Sequence, residues 1–189
     1  GIALFYAGMV RKKNILSTLA QSVAICGMIT LLWYFVGYSL AFSEGSAFVG
    51  GLSKAFLSGI GISTLSGTIP ELLFVFLQMT FAILTPALIT GSIAGRMKFS
   101  SLLVFMAAWS LLVYAPICHW VWASDGFFFN MGALDYAGGT VVHINAGIAG
   151  LVACLMVGPR RGWGQQHLAP ANLALAVIGA SLLWFGWMG

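Results

Sequence analysis

Charge is scarce in this sequence. Of its 189 residues only 6% are charged, eight basic and four acidic, where an ordinary soluble domain carries about 25%. So few charges cannot wet the surface of a globule. This excludes a disordered chain, a water-soluble enzyme of ordinary type and a nucleic-acid binder. The isoelectric point near 9.2 reflects an excess of four positive charges, which topology accounts for below. Cysteine is nearly as sparse. Cys26, Cys118 and Cys154 lie in apolar runs without metal-type spacing, which argues against a disulfide or zinc framework. What fills the chain instead is 60% hydrophobic residues, 14% aromatic residues and a mean hydropathy of +1.00. These are the marks of an integral membrane protein.

The charges are clustered, and residues 14–43, 72–95, 99–124 and 136–159 carry none. A helix needs about 20 apolar residues to cross the hydrocarbon, so each stretch is long enough to span. Barrel strands would alternate polar and apolar residues, and no such repeat is visible. Two further apolar runs, Gly1–Val10 and Asn172–Met188, sit at the ends and are cut off mid-run. The expectation is an all-α, polytopic bundle: an internal fragment with six spans, the first of them incomplete.

Lys and Arg in short loops set orientation. Arg11, Lys12 and Lys13 follow the first span, Arg96 and Lys98 the third, Arg160 and Arg161 the fifth. The alternate loops hold Lys54 and all the acids: Glu44, Glu71, Asp125 and Asp135. The loops bearing Arg11, Arg96 and Arg160 are therefore expected to be cytoplasmic. The longest connection, about residues 43–69, is rich in Ser, Gly and Thr and reads as a partly ordered outer loop on the membrane surface. Gly91 and Gly95 form a small-xxx-small pattern, and Gly138, Gly139, Ala146, Gly147 and Gly150 repeat the idea, which suits close helix packing in lipid. Pro86 and Pro116 are expected to kink the third and fourth spans.

Ionisable groups within spans are functional hypotheses by default, and three lie in or near the apolar slabs: His119, Asp135 and His143. His167 sits in a basic loop and reads as solvated. His143, with Asn145, is placed about two to three turns into the fifth span when turns are counted from Asp135. It either fixes helix register or serves a polar small molecule or proton relay. Asp135 at the start of that span is a helix cap or a cation-attracting charge. Trp122 belongs to an interfacial belt or to a cation–π wall. Phe81, after Gln78, is a packing aromatic by default.

Residues 135–160, DYAGGTVVHINAGIAGLVACLMVGPR, resemble the signature of the ammonium transporter family (Amt/MEP/Rh), in its Amt form. GIALFYAGMVRKKN, LLWYFVGYSLAFSEG, LQMTFAILTPALITGSIAGRMKFS and YAPICHWVW extend the likeness, in order, over nearly the whole chain. The resemblance implies a bundle of roughly eleven spans in two inverted five-helix repeats, an arrangement shared by many transporters. Residues 1–158 would be the first repeat with a truncated first span, and 171–189 the start of the second. It further implies homotrimers in the inner (plasma) membrane, no cofactor, and a possible PII-type signal protein as cytoplasmic partner. Carried over by position, Trp122 matches the external vestibule tryptophan and Phe81 one of two gating phenylalanines. His143 matches the first pore histidine, and Asp135 the acid near the recruitment site. The second gating phenylalanine, the vestibule serine and the second histidine are expected beyond residue 189.

Ammonium and potassium share size and charge, but only ammonium has four N–H donors and a proton to lose. Aromatic faces replace part of its hydration shell, and neutral ammonia then avoids the several kcal/mol that a charge costs in hydrocarbon. One alternative is an ammonium sensor domain of a larger signalling protein, which would share these residues. An intramembrane enzyme built on His143 and Asp135 would need a nucleophile or metal ligands, and no paired carboxylates or His-Glu motif supplies them.

Overall fold

The computed structural model describes residues 1–160, 162–165 and 168–188. Arg161 and His167 of the sequence reading lie outside the described residues. Among the described residues, four helices are long and apolar enough to cross a membrane: α2 (Lys12–Phe42), α3 (Glu71–Ile93), α4 (Phe99–Asn130, interrupted at residues 123–126) and α5 (Gly139–Val157). They coincide with the four charge-free stretches. The shortest has 19 residues, about 28 Å of helix against a hydrocarbon thickness of about 30 Å. The two end runs form shorter helices, α1 (Ile2–Met9) and α6 (Leu173–Gly186). This is a polytopic membrane helix bundle.

The outward faces are apolar: Leu16, Val23, Val104, Leu112, Leu155 and Met156 are all exposed. The core mixes apolar residues such as Ile25, Ile89 and Met106 with Trp33, Tyr38, Tyr114, Thr85 and His119. Several hydroxyls inside the spans bond back to their own helix, as Thr18 does to Asn14, Ser22 to Thr18 and Thr85 to Phe81. Back-bonding of this kind lets Ser and Thr sit in an apolar helix without an orphaned donor. Helix α3 runs through Pro86 as one continuous element. Pro116 follows a π-helical stretch, Ser110–Tyr114, within α4. Two more π segments occur, Trp33–Gly37 in α2 and Gly139–Ile144 at the start of α5.

Close packing uses small residues beyond those the pattern singled out. Gly8 on α1 lies against the backbone of Ala176 on α6, and Gly179 on α6 against the backbone of Phe5, so a side chain at either would collide with its neighbour. Gly91 packs on the Tyr6 ring and Gly150 near Ser92, as a small-residue face requires. Gly147, in contrast, has open space around it. Gly138 serves the chain's turn into α5, with φ +97°, a conformation that glycine adopts without a steric cost.

The outer loop is more ordered than its composition suggests. Two short antiparallel hairpins, β1 (Gly45–Ser46) with β2 (Val49–Gly50) and β3 (Leu65–Ser66) with β4 (Ile69–Pro70), punctuate it. Hydroxyls of Ser39 on α2 and of Ser43 just past its end donate to the Gly51 carbonyl, both at 2.8 Å. The Phe127 amide donates to the Ala47 carbonyl at 2.8 Å. Where the loop returns to the membrane, Glu71 is buried and accepts from Tyr38 Oη at 2.8 Å and Lys54 Nζ at 2.6 Å. The sequence reading counted Glu71 only as a loop acid.

His119 completes that cap. Its ring is fully buried, with Nδ1 2.9 Å from the Ala41 carbonyl and Nε2 2.8 Å from the Ser46 carbonyl. It ties α4 to the end of α2 and to β1, which assigns it to structure. His119→Ala is expected to lower stability by about 3 kcal/mol, from the cavity left and the unpaired carbonyls. Thermal unfolding of the detergent-solubilised full-length protein measures this. A shift no larger than that of an exposed-site variant would refute the tie.

Candidate functional site

Helix α3 packs along α5, and the end of α4 reaches the same place. Phe81 stands one turn after Gln78 on α3, Trp122 just before the interruption in α4, and Asp135 in the turn before α5. The structure brings these three together. The Phe81 and Trp122 rings lie 5.3 Å apart between centroids, inclined at 56°. The Trp122 indole N–H donates to the Asp135 backbone carbonyl at 2.8 Å. All three residues are half-buried, so part of their surface remains accessible where the three helices meet.

The Asp135 carboxylate is wholly engaged. Its Oδ1 accepts from the amides of Gly138 (2.6 Å) and Gly139 (2.8 Å), and its Oδ2 from those of Thr140 (2.8 Å) and Val141 (2.9 Å). A carboxylate offers about four acceptor sites, and all are taken by donors that a helix start leaves unpaired. The negative charge also lies at the positive end of the α5 dipole. Of the two readings of Asp135, this geometry is that of the cap, acting four residues ahead of the first helical residue, Gly139. Through the 2.8 Å bond from Trp122 to its carbonyl, the same residue also holds the indole in place.

His143 lies on the π-helical first stretch of α5, Gly139–Ile144. Counting turns from Asp135 overstated its depth. The helix begins only at Gly139, because residues 135–138 form the capping turn, so His143 sits about one turn in. Its ring is exposed, on the face of α5 turned away from the core. The π geometry widens the turn there, and such bulges recur at functional sites. The structure therefore gathers Phe81, Trp122 and Asp135 into one cluster and sets His143 on the helix that this cluster starts.

The family model described as Ammonium Transporter Family matches residues 1–189. The chain belongs to the ammonium transporter family. Among its relatives, an ammonium transporter of Aquifex aeolicus is 49% identical and one of Bacillus subtilis 46% identical, each over the whole of this chain. The chain spans 44% and 46% of those ammonium transporters' lengths. The crystal structure of Saccharomyces cerevisiae Mep2 superposes with a TM-score of 0.88 at 38% identity, over 99% of this chain and 44% of that one. A solved protein described as a Sensor Amt Protein superposes at 0.85 with 27% identity, over 98% of this chain and 48% of that one. As a member of the ammonium transporter family, the chain is a multi-pass membrane protein.

Proposed function

We propose that the full-length protein carries ammonium or ammonia across a cell membrane, and that the 189 residues supply one wall of the path. The family match over the whole chain carries this reading. In it, residues 1–158 are the first of two inverted repeats and 171–189 open the second, with the substrate path between repeats. The Phe81–Trp122 pair, 5.3 Å apart, is the recruitment and gating surface. An indole face attracts a cation within about 6 Å of its centroid, and the ring is already oriented by its bond to Asp135. His143 on α5 then hydrogen-bonds the neutral ammonia and helps carry, with its partner histidine, the proton that ammonium released. The bland alternatives, a packing Phe81 and an interfacial Trp122, leave unexplained why an indole is tethered beside the start of the histidine-bearing helix. The Arg11, Arg96 and Arg160 loops face the cytoplasm of an inner-membrane homotrimer, where a PII-type protein would dock. The sensor reading has weaker support, since the solved protein so described is 27% identical against 38% for Mep2.

Trp122→Leu tests the recruitment surface. Ammonium uptake by the full-length protein is expected to persist with apparent affinity weakened about tenfold, the equivalent of about 1.4 kcal/mol, and with potassium excluded less well. The measurement is concentration-dependent uptake in reconstituted vesicles, with and without competing potassium. Unchanged affinity and selectivity together with a large loss of thermal stability would place Trp122 among the anchors instead.

A further inference from the structure

The outer end of α4 carries a titratable ring that the Phe81–Trp122 surface does not use. His119 is fully buried, one helical turn before Trp122. Both of its nitrogens face backbone carbonyls, Nδ1 2.9 Å from the Ala41 oxygen and Nε2 2.8 Å from the Ser46 oxygen. A carbonyl oxygen only accepts. A neutral imidazole has one N–H and one bare nitrogen, so it serves one of these oxygens and sets a lone pair against the other. The imidazolium has a donor for each. Both separations also fall in the range of about 2.7–2.9 Å typical of charge-assisted bonds.

A buried charge needs a counter-ion, and Asp125 is placed to be one. From the interruption in α4 its Oδ1 lies 3.6 Å from His119 Nε2, while its Oδ2 accepts from the Gly45 amide at 3.2 Å. One carboxylate thus reaches both the ring and the β1–β2 hairpin that the ring holds. Around this end of α4 pack residues 38–42 of α2, the hairpin, residues 127–130 and residues 139–144 of α5. Their titratable side chains are Tyr38, whose hydroxyl donates to Glu71, and the exposed His143. On α4 itself Tyr114 and Cys118 are buried. Nearby, Glu44 is exposed, Lys54 pairs with Glu71 at 2.6 Å, and Asp135 gives its carboxylate to four amides. Among the described residues, the carboxylate paired with this ring is that of Asp125.

We propose that His119 is held doubly protonated and forms, with Asp125, a proton-dependent clasp joining the outer hairpin to the ends of α2 and α4. The sign follows from the donors. While the ring is charged, both carbonyls are served and Asp125 is paired. Once rising pH removes one proton, one carbonyl faces a lone pair and Asp125 loses its partner. The clasp is tight at lower pH and loosens as pH rises. It does not depend on the ammonium reading.

The experiment uses the full-length protein, its histidines labelled with nitrogen-15, in phosphatidylcholine vesicles. Solid-state NMR reads the ring nitrogens, and His119 is identified by the signals that His119→Gln removes. At about pH 7.5, one unit above the ordinary imidazole value of about 6.5, both nitrogens of His119 are expected to carry a proton. Asp125→Asn is expected to lower the charged-to-neutral ratio about tenfold, the effect of losing an opposite charge at such a distance. Amide hydrogen exchange of residues 43–51, corrected for its intrinsic pH dependence, supplies the second reading. Protection is expected to fall about tenfold over the pH range in which the ring loses its proton, and to stay level in His119→Gln, which keeps a donor but does not titrate. Should His119→Gln not fold, the signals that move in Asp125→Asn identify the ring, and the protonation reading decides. A bare nitrogen on His119 at that pH, a ratio unmoved by Asp125→Asn, or hairpin protection indifferent to the ring's deprotonation would each overturn the proposal.

Discussion

His143→Ala in the full-length protein is expected to abolish ammonium uptake while leaving the fold intact. The ring is exposed on the face of α5 turned away from the core, so its loss opens no cavity. Exposed substitutions of this kind usually change stability by no more than about 0.5 kcal/mol. The surrounding α3–α5 packing, with Gly150 against Ser92, is untouched. What disappears is the one group on this helix able both to donate and to accept a hydrogen bond and to hold a proton. Uptake in vesicles, read beside thermal unfolding and oligomer size, separates the two effects. Unchanged uptake at normal expression would remove His143 from the path.

Asp135 should give the largest stability effect at the site, graded by side chain. Asp135→Ala strands four amides at the head of α5 and is expected to cost about 2 kcal/mol or more, the upper end of the range for a lost cap. Transport should fall with it, because the Asp135 carbonyl that orients Trp122 loses its fixed position. Asp135→Asn keeps one oxygen but turns an amide N–H₂ towards the donors served by the other, so about half of the stability loss and part of the activity should be recovered. Thermal unfolding and uptake at equal surface expression are the measurements. If Asn and Ala were equally inactive while Asn kept its stability, the carboxylate charge itself would be recruiting the cation.

The spans were legible because a bilayer punishes charge and demands length. Gaps between charged residues marked α2, α3, α4 and α5 to within a few residues, with no knowledge of contacts. The resemblance of residues 135–160 to a transporter signature likewise agreed with the family match over the full chain. The depth of His143 was less legible. An acid followed by glycines can begin a helix or precede it by a capping turn, and only the four amides gathered on Asp135 show the second. Small residues misled for a related reason. Gly147 fits a packing pattern yet meets nothing, whereas Gly8 and Gly179 touch other backbones. A one-dimensional pattern says that close approach is possible, and not which helix approaches.

By itself the sequence determined the class of solvent, the limits of the four long spans, the gathering of the arginines at one end of the bundle, and the candidates Phe81, Trp122, Asp135 and His143. These depend on transfer free energies and on local residue order, which are properties of single segments. Tertiary structure alone decided that Trp122 meets Phe81 and is tethered to Asp135, that His119 and Glu71 are buried in hydrogen-bonded ties, and that Arg160 lines both the cavity of Arg11 and that of Arg96. Those facts join residues separated by tens of positions in the chain. Hydrogen bonds and ring contacts act over a few ångströms, so they exist only once the helices have chosen their neighbours.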